Sequence, residues 1–220
     1  MLKPFVGGWR MRLRGGWCKM SWKTWIKNVL RRLPFVETRR YYILELRRPQ
    51  QNTVTETSDS ICYRKANYEA DFLDIVKTFP EELNRTDIAE RVKKRFHEEM
   101  PCFVAREQPT DEFIGAFWGD TNGDFFLEEY AAQPVYWVRN LFVCPQFRGK
   151  GIGRKLLVFA TQKLFQETCC ESVLSQIRLD RDASLRTHRE AGFHVIVKYQ
   201  VSRVGKYWFG VESTRIVNDQ

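Results

Sequence analysis

The stretch of sequence that decides the fold is VYWVRNLFVCPQFRGKGIGRKLL, residues 135–157. Its first nine residues are rich in β-branched and aromatic side chains and predict a strand, which Pro145 ends. Apolar residues at helical spacing then predict a helix from Gly151 to about Glu167. Between these elements, alternating glycines leave backbone N–H groups open to an anion, and cations flank them. The glycines are Gly149, Gly151 and Gly153, and the cations are Arg148, Lys150 and Arg154. The loop is therefore predicted to bind a phosphate or pyrophosphate.

Two familiar phosphate-binding patterns do not fit this loop. The Walker pattern needs Ser or Thr directly after its Gly-Lys pair, whereas Gly151 follows Lys150 here. The dinucleotide fingerprint G-x-G-x-x-G belongs near the first strand, whereas this loop has G-x-G-x-G spacing and lies past the midpoint of the chain. A glycine-rich turn without a ligand remains the structural alternative.

The flanking sequence mixes strands and helices in an order that predicts one α+β or α/β domain with a single sheet. Upstream, strands are predicted at Tyr41–Leu46, Ile61–Lys65, Cys102–Arg106 and Glu112–Trp118, with a helical region at Asn67–Met100 that Pro80 divides. Downstream, strands are predicted at Val173–Leu179, His194–Val201 and Lys206–Glu212, with a short helix at Ala183–Glu190.

Two phrases in this region resemble a known family. Arg148-x-x-Gly151-x-Gly153 after the strand residues NLFV resembles motif A of the GNAT (GCN5-related N-acetyltransferase) superfamily, and REAGF at 189–193 resembles its motif B. The resemblance covers roughly residues 61–212 and leaves the strand at Tyr41–Leu46 unexplained. It implies an α+β (α/β-like) fold, with a single mixed, mostly antiparallel sheet flanked by helices. It also implies acetyl-CoA as co-substrate, no metal, and direct attack of a primary amine on the thioester without a covalent enzyme intermediate.

The resemblance also assigns binding residues. The backbone of Leu141, Phe142 and Val143 would pair with the pantetheine arm, and one of their amides, with that of Val143 as first candidate, would polarise the thioester carbonyl. The pyrophosphate would be held by Arg148, Gly149, Lys150, Gly151, Ile152 and Gly153, with Arg154 beside them. Cys144 would lie near the cofactor, and we interpret it as a small buried residue and not as a nucleophile.

The catalytic acid and base depart from the family pattern. Family members often carry a tyrosine four residues before the glycine of motif B, a position that His188 occupies here, and we predict that His188 protonates the leaving thiolate. Its alternative is a histidine on the solvent side of the helix. No acid precedes motif A on its strand, so Glu128 and Glu129 are the candidates to attract the amine and relay its proton. Their alternative is a solvated pair on a loop.

The net charge of +9 is concentrated at the start of the chain. Nine Lys or Arg residues and no acid precede Glu37, and the remaining 27 basic residues balance the 27 acidic ones. A neutral body argues against a nucleic-acid partner. We expect residues 1–36 to form a basic arm and residues 37–220 to form the GNAT-like acyltransferase domain, with Met20 as an alternative first residue.

Residues 21–33 of the arm are predicted to form an amphipathic helix with a purely cationic polar face. Its apolar face would carry Trp22, Trp25, Ile26, Val29, Leu30 and Leu33. This pattern is typical of a helix at an anionic membrane surface, and packing on the protein's own body or service as a targeting or partner helix are its alternatives.

The sequence predicts where the protein acts but leaves open the length of the acyl chain and whether the chain is catalytic. The chain has six cysteines without C-x-x-C spacing and no long apolar run, which favours a cytoplasmic protein, peripheral on the membrane through its arm. The leading hypothesis is an acetyl-CoA-dependent N-acetyltransferase. The alternatives are an acyltransferase that takes longer chains from CoA or a carrier protein, and a non-catalytic acyl-CoA-binding module.

Overall fold

The computed structural model describes residues 10–13, 16–19, 37–49, 60–79, 85–121, 134–204 and 207–215. The strands in these ranges are β1 Arg10–Leu13, β2 Gly16–Lys19, β3 Glu37–Arg47, β4 Ile61–Lys65, β5 Cys102–Glu107, β6 Phe113–Asp120, β7 Val135–Val143, β8 Ser172–Arg178, β9 His194–Val204 and β10 Tyr207–Arg215. The α-helices are α1 Tyr68–Lys77, α2 Arg85–His97, α3 Ile152–Glu167 and α4 Asp182–Glu190. A short 3₁₀ helix, Pro145–Phe147, links β7 to the loop before α3.

Eight of these strands form one sheet in the order β10-β9-β3-β8-β7-β6-β5-β4. Every neighbouring pair in it is antiparallel except β7 and β8, which are parallel. The strands β1 and β2 form a separate antiparallel pair. The prediction of a mixed, mostly antiparallel sheet flanked by helices is therefore confirmed.

The strand β3 lies inside this sheet and not at its edge. It pairs with β8 on one side and with β9 on the other. Its central residues Ile43, Leu44 and Glu45 are buried. The strand that the sequence left unexplained is therefore a structural part of the sheet, and it begins earlier than predicted, at Glu37.

Helices cover the two faces of the sheet on the side of β4 to β7. Alternation along β5 sends neighbouring side chains to opposite faces. Phe103 belongs to the cluster that includes Leu156 and Leu164 of α3, whereas Val104 belongs to the cluster that includes Ile75 of α1 and the α2 residues. The predicted helical region at 67–100 is thus two helices, both opposite α3.

Two predictions fall on parts of the chain that lie outside the described residues. The amphipathic helix at 21–33 is one, and the pair Glu128 and Glu129 is the other. Among the helices that the structure describes, none combines the length and the apolar character needed to cross a bilayer.

Candidate active site

The strands β7 and β8 separate partway along their length. Their parallel pairing joins Val135–Val138 to Ser172–Ser175 and stops there. Farther on, β7 keeps its pairing with β6 as far as Val143, and β8 keeps its pairing with β3 as far as Arg178. The facing edges of the two strands are therefore unpaired beyond Val138, and an extended ligand can hydrogen-bond to backbone groups there.

A β-bulge in β7 coincides with this separation. Asn140 pairs with Trp118 and Val138 pairs with Gly119, so that Arg139 between them is an extra residue. Such an insertion bends the strand that carries it and increases its twist. The close approach of β6 and β7 needs Gly119, because a Cβ there would lie 2.0 Å from the carbonyl oxygen of Trp137.

Asp120 holds the side chain of the bulge residue. Its carboxylate accepts hydrogen bonds from Arg139 Nε at 3.1 Å and from Arg95 Nη2 at 2.9 Å. Asp120 itself is buried. Charge-assisted hydrogen bonds of this kind are stronger than those between neutral groups, so this pair of contacts fixes β7 at the point where the strands part.

The loop between β7 and α3 has the backbone conformation that its glycines allow. Gly149 and Gly151 have φ of +78° and +74°, values that other residues rarely adopt. Gly151 is the N-cap of α3, and no side chain caps the helix there. The first backbone N–H groups of a helix have no partner within it, and they lie at the positive end of the helix dipole. The first turn of α3 contains no acidic residue that would offset this positive charge.

Cations surround this loop and reach into solvent. Arg148 Nε donates to the carbonyl oxygen of Val143 at 2.8 Å, and its guanidinium lies 5.8 Å from the centre of the Phe142 ring. Lys150 Nζ lies 5.3 Å from the Phe147 ring centre. Arg148, Lys150 and Arg154 are all exposed. The loop therefore combines open amides with formal positive charge, as a pyrophosphate site requires.

His188 lies in the core, so its alternative interpretation as a solvent-side residue is wrong. Its side chain is 2% exposed, and burial lowers the pKa of the imidazole to about 4. Nδ1 lies 2.8 Å from the carbonyl oxygen of Ser184 and donates to it, so Nε2 accepts from Ser175 Oγ at 3.0 Å. The neutral ring thus has no N–H free for a departing sulfur. This geometry favours a positioning role, and the acid role stays a prediction.

Sequence reasoning did not identify Ser175, the partner of His188. Ser175 is the last residue of β8 that pairs with β7, so its buried hydroxyl lies at the point where the strands separate. A serine inside an apolar strand carries no signal of this kind, because its importance depends on the neighbouring strand and on α4. The bulge at Arg139 and its partner Asp120 were missed for the same reason.

Cys144 follows β7 and is half-buried. Its Sγ lies 3.4 Å from the carbonyl oxygen of Phe113, and burial raises the pKa of the thiol. A raised pKa favours the thiol over the reactive thiolate. Among the described residues, no group of three or more His, Cys, Asp or Glu side chains is arranged to hold a metal ion.

Comparison with known proteins agrees with this geometry. A family model described as the acetyltransferase (GNAT) family matches residues 66–193. A GCN5-related N-acetyltransferase from Sphaerobacter thermophilus has a TM-score of 0.59 at 17% identity, over 76% of this chain and 51% of its own. A Drosophila protein has a TM-score of 0.57 at 14% identity, over 82% and 56% of the two chains. An aminoglycoside N-acetyltransferase in complex with CoA has a TM-score of 0.52 at 16% identity, over 64% and 92%.

These similarities show a shared fold. The chain spans about half the length of the first two structures. A search of curated proteins found no match. The family model covers more than half of the 220 residues, including β7, the glycine loop, α3, β8 and α4. This chain therefore belongs to the GNAT acetyltransferase family.

Proposed function

We propose that this protein transfers an acetyl group from acetyl-CoA to a primary amine, and that the amine attacks the thioester directly. One observation carries the proposal. The unpaired edge of β7 leads straight into the uncapped N-terminus of α3, so a site for an extended arm is continuous with a site for a pyrophosphate. Acyl-CoA is a ligand with both parts.

The binding roles follow from this continuity. The backbone of Leu141, Phe142 and Val143 hydrogen-bonds the pantetheine arm in the gap between β7 and β8. One of these amides polarises the thioester carbonyl and stabilises the oxyanion that develops during attack. The amides from Arg148 to Gly153 hold the pyrophosphate, and the three exposed cations neutralise its charge.

Direct attack requires a neutral amine and a route for its proton. The raised pKa of the Cys144 thiol supports a mechanism without an acyl-cysteine intermediate. Glu128 and Glu129 remain the proposed groups that attract the amine and relay its proton through water. Overall, the C–S bond of the thioester breaks, a C–N bond forms, and one amine proton ends on the CoA thiol.

Calorimetric titration with acetyl-CoA tests the proposal. Gly151→Glu places bulk and negative charge at the N-cap of α3, in a position whose φ of +74° already disfavours a side chain. Gln166→Glu adds the same charge at the exposed far end of the same helix and serves as the matched control. We expect the wild type and the control to bind acetyl-CoA with similar affinity, and Gly151→Glu to bind at least about a hundredfold more weakly, since it replaces attraction by repulsion.

A well-folded wild type that binds neither acetyl-CoA nor longer acyl-CoAs would overturn the proposal. Circular dichroism spectra of all three proteins establish that they are folded. Titration with acyl-CoAs of increasing chain length decides between acetyl transfer and the longer-chain alternative. Thiol release with an amine present decides between an enzyme and a binding module.

We also propose that residues 21–33 place this enzyme on the cytoplasmic face of an anionic membrane. The proposal is supported by the sequence pattern alone, with two tryptophans on the apolar face and only cations on the polar face. Flotation with vesicles of phosphatidylserine and phosphatidylcholine tests it. Trp22→Ala/Trp25→Ala should reduce flotation severalfold, and equal flotation of the variant and wild type would refute it.

A further inference from the structure

A cavity of about 390 Å³ lies beside the end of β7 on the face of the sheet opposite α3. Its walls include Asp74 and Thr78 at α1, Asp111 and Glu112 in the turn between β5 and β6, and Phe142 and Cys144 at the end of β7. The face follows from alternation along β7. Leu141 and Val143 pack against the cluster that contains the α3 side chains, so Phe142 between them points the other way.

One end of this cavity reaches the separation of β7 and β8. Thr78 Oγ1 lies 3.5 Å from Asn140 Nδ2, and Asn140 directly follows the bulge residue Arg139. The other end reaches Cys144, four residues farther along the chain. At about 3.3 Å per residue, the two ends are about 13 Å apart. The cavity therefore runs along the segment of β7 whose opposite edge is proposed to bind the acyl-CoA arm.

The two cations in the cavity wall, Arg106 and Lys77, are already paired with carboxylates. Arg106 is 6% exposed, and its guanidinium lies 2.8 Å from Asp71 and 2.9 Å from Asp74. Asp71 also pairs with Arg64 at 2.7 Å, and these hydrogen bonds outweigh its burial and lower the pKa of its carboxyl. Lys77 pairs with Asp74 at 3.3 Å. These ion pairs hold α1 against β4 and β5, and they neutralise the positive charges next to the cavity.

The rim of the cavity carries two further carboxylates that face solvent. Asp111 is 73% exposed and lies 3.7 Å from Arg106. Glu112 is exposed, and its carboxylate accepts a hydrogen bond from the neutral amide of Gln146 at 3.4 Å. Among the residues that line the cavity, Asp74, Asp111 and Glu112 carry three negative charges, and Lys77 and Arg106 carry two positive ones. The cavity is thus negative in a chain whose formal net charge is +9.

We infer that this cavity binds the distal cationic group of a diamine or polyamine acceptor, an assignment that rests on the proposed acetyl transfer. The reacting amine lies beside Asn140 and Thr78, where the strands part and next to the amide of Leu141, one of those proposed to polarise the thioester. The second ammonium group lies about 10 Å farther along β7, between Asp111 and Glu112, within the length of the cavity. The Phe142 ring, which also lines the cavity, adds apolar surface for the methylene chain between the two nitrogens.

The chemistry of the transfer fits an acceptor with two unlike sites. The attacking nitrogen must be neutral, and its lone pair forms the C–N bond as the C–S bond breaks. The distal nitrogen stays protonated and takes no part in bond making. Its role is to hold the acceptor in register, so removing its binding site raises the KM of a diamine and leaves its kcat unchanged.

Direct binding to the full chain saturated with CoA, which transfers no acetyl group, tests this inference. The probes are 1,7-diaminoheptane, whose nitrogens are about 10 Å apart when extended, and n-heptylamine, which lacks the second charge. The variant is Asp111→Asn/Glu112→Gln, and asparagine suits position 111 because its φ is +55°. The matched control is Glu167→Gln/Glu190→Gln, which removes two exposed carboxylates at the ends of α3 and α4.

We expect the wild type to bind the diamine about tenfold more tightly than the monoamine, since two partly exposed ion pairs contribute at this level. The variant loses that preference and keeps its affinity for the monoamine, whereas the control stays within about twofold of wild type. Raising the salt from 50 to 500 mM should shrink the preference of the wild type, because screening weakens exposed pairs.

Acetyl-CoA titrations of the same samples separate this inference from the proposed function. If the wild type binds acetyl-CoA but binds the two amines equally, or if the variant keeps the preference for the diamine, only the acceptor assignment is overturned. If the wild type binds the diamine but no acyl-CoA, the proposed function and the acceptor assignment both fall. Acetyl-CoA binding together with a diamine preference that the variant abolishes supports both.

Discussion

The buried imidazole of His188 makes the stability of this protein depend on pH in a defined window. Its pKa is about 4 in the folded protein, below the ordinary value of 6.5, because burial disfavours the charged ring. Below pH 6.5 the unfolded chain therefore binds a proton that the folded protein does not. Stability falls as the pH drops through this window and levels off below about pH 4.

The size of the effect follows from the two values. The full difference between 6.5 and about 4 corresponds to about 3 kcal/mol at about 1.4 kcal/mol per pH unit. At pH 5 the unfolded histidine is almost fully protonated while the folded one is still neutral. Of the full effect, about 2 kcal/mol should already have appeared between pH 7 and pH 5. Asp71, whose carboxyl pKa is lowered, acts only at more acidic pH and does not contribute in this window.

Urea unfolding of the wild type and of His188→Gln at pH 7, 6 and 5 measures this contribution. Glutamine does not titrate, and it can donate to the Ser184 carbonyl and accept from the Ser175 hydroxyl. We expect the wild type to lose about 2 kcal/mol more than His188→Gln between pH 7 and pH 5. His97→Gln, at an exposed position on α2, is the control and should retain the wild-type dependence. Parallel losses in the wild type and His188→Gln would refute the reasoning.

Three further variants test the site. Gly119→Ala puts a Cβ 2.0 Å from the Trp137 carbonyl oxygen, so we expect the free energy of unfolding in urea to fall by at least about 3 kcal/mol. An unchanged free energy would contradict the close approach of β6 and β7. Asp120→Asn removes the charge that pairs with Arg95 and Arg139, and it should lower the free energy of unfolding by about 2 kcal/mol. An unchanged urea midpoint would show that these ion pairs contribute nothing to stability. His188→Gln should change kcat for acetyl transfer by less than about threefold, because the imidazole ring has no free N–H. A hundredfold loss of kcat with acetyl-CoA binding intact would instead establish His188 as the acid.

The loop at 148–153 could be predicted from sequence because everything it needs is local. Glycines supply positive φ, the following helix supplies its N-terminus, and the cations are neighbours in the chain. The same holds for the strands and helices around it, whose periodicity fixed their type and approximate limits. The parallel pairing of β7 and β8 also follows, since a strand, a helix and a strand in this order connect most readily as a crossover.

The features that complete the site depend on partners far away in the sequence. The bulge at Arg139 exists only relative to β6, and burial of His188 depends on how α4 packs against β8. The charge of the cavity cannot be read from composition, because Asp71 and Arg106 are 35 residues apart and meet only in the fold. Proximity along the chain points to Glu128 and Glu129 as acids near motif A, whereas an acid that approaches β7 from another element, such as Asp74, is found only from the fold.

The position of β3 shows how this distant pairing shapes the proposed cofactor gap. Beyond Ser175, β8 no longer pairs with β7, but its other edge stays paired with β3 as far as the pairing of Tyr41 with Arg178. β7 is held in the same way by β6 from Asn140 to Val143. Each wall of the gap is thus supported by a separate antiparallel partner, and the partner of β8 comes from the segment next to the basic arm. Because β8 is supported by β3, a change that weakens the pairing of β3 should loosen β8 and weaken acetyl-CoA binding without altering any residue of the loop.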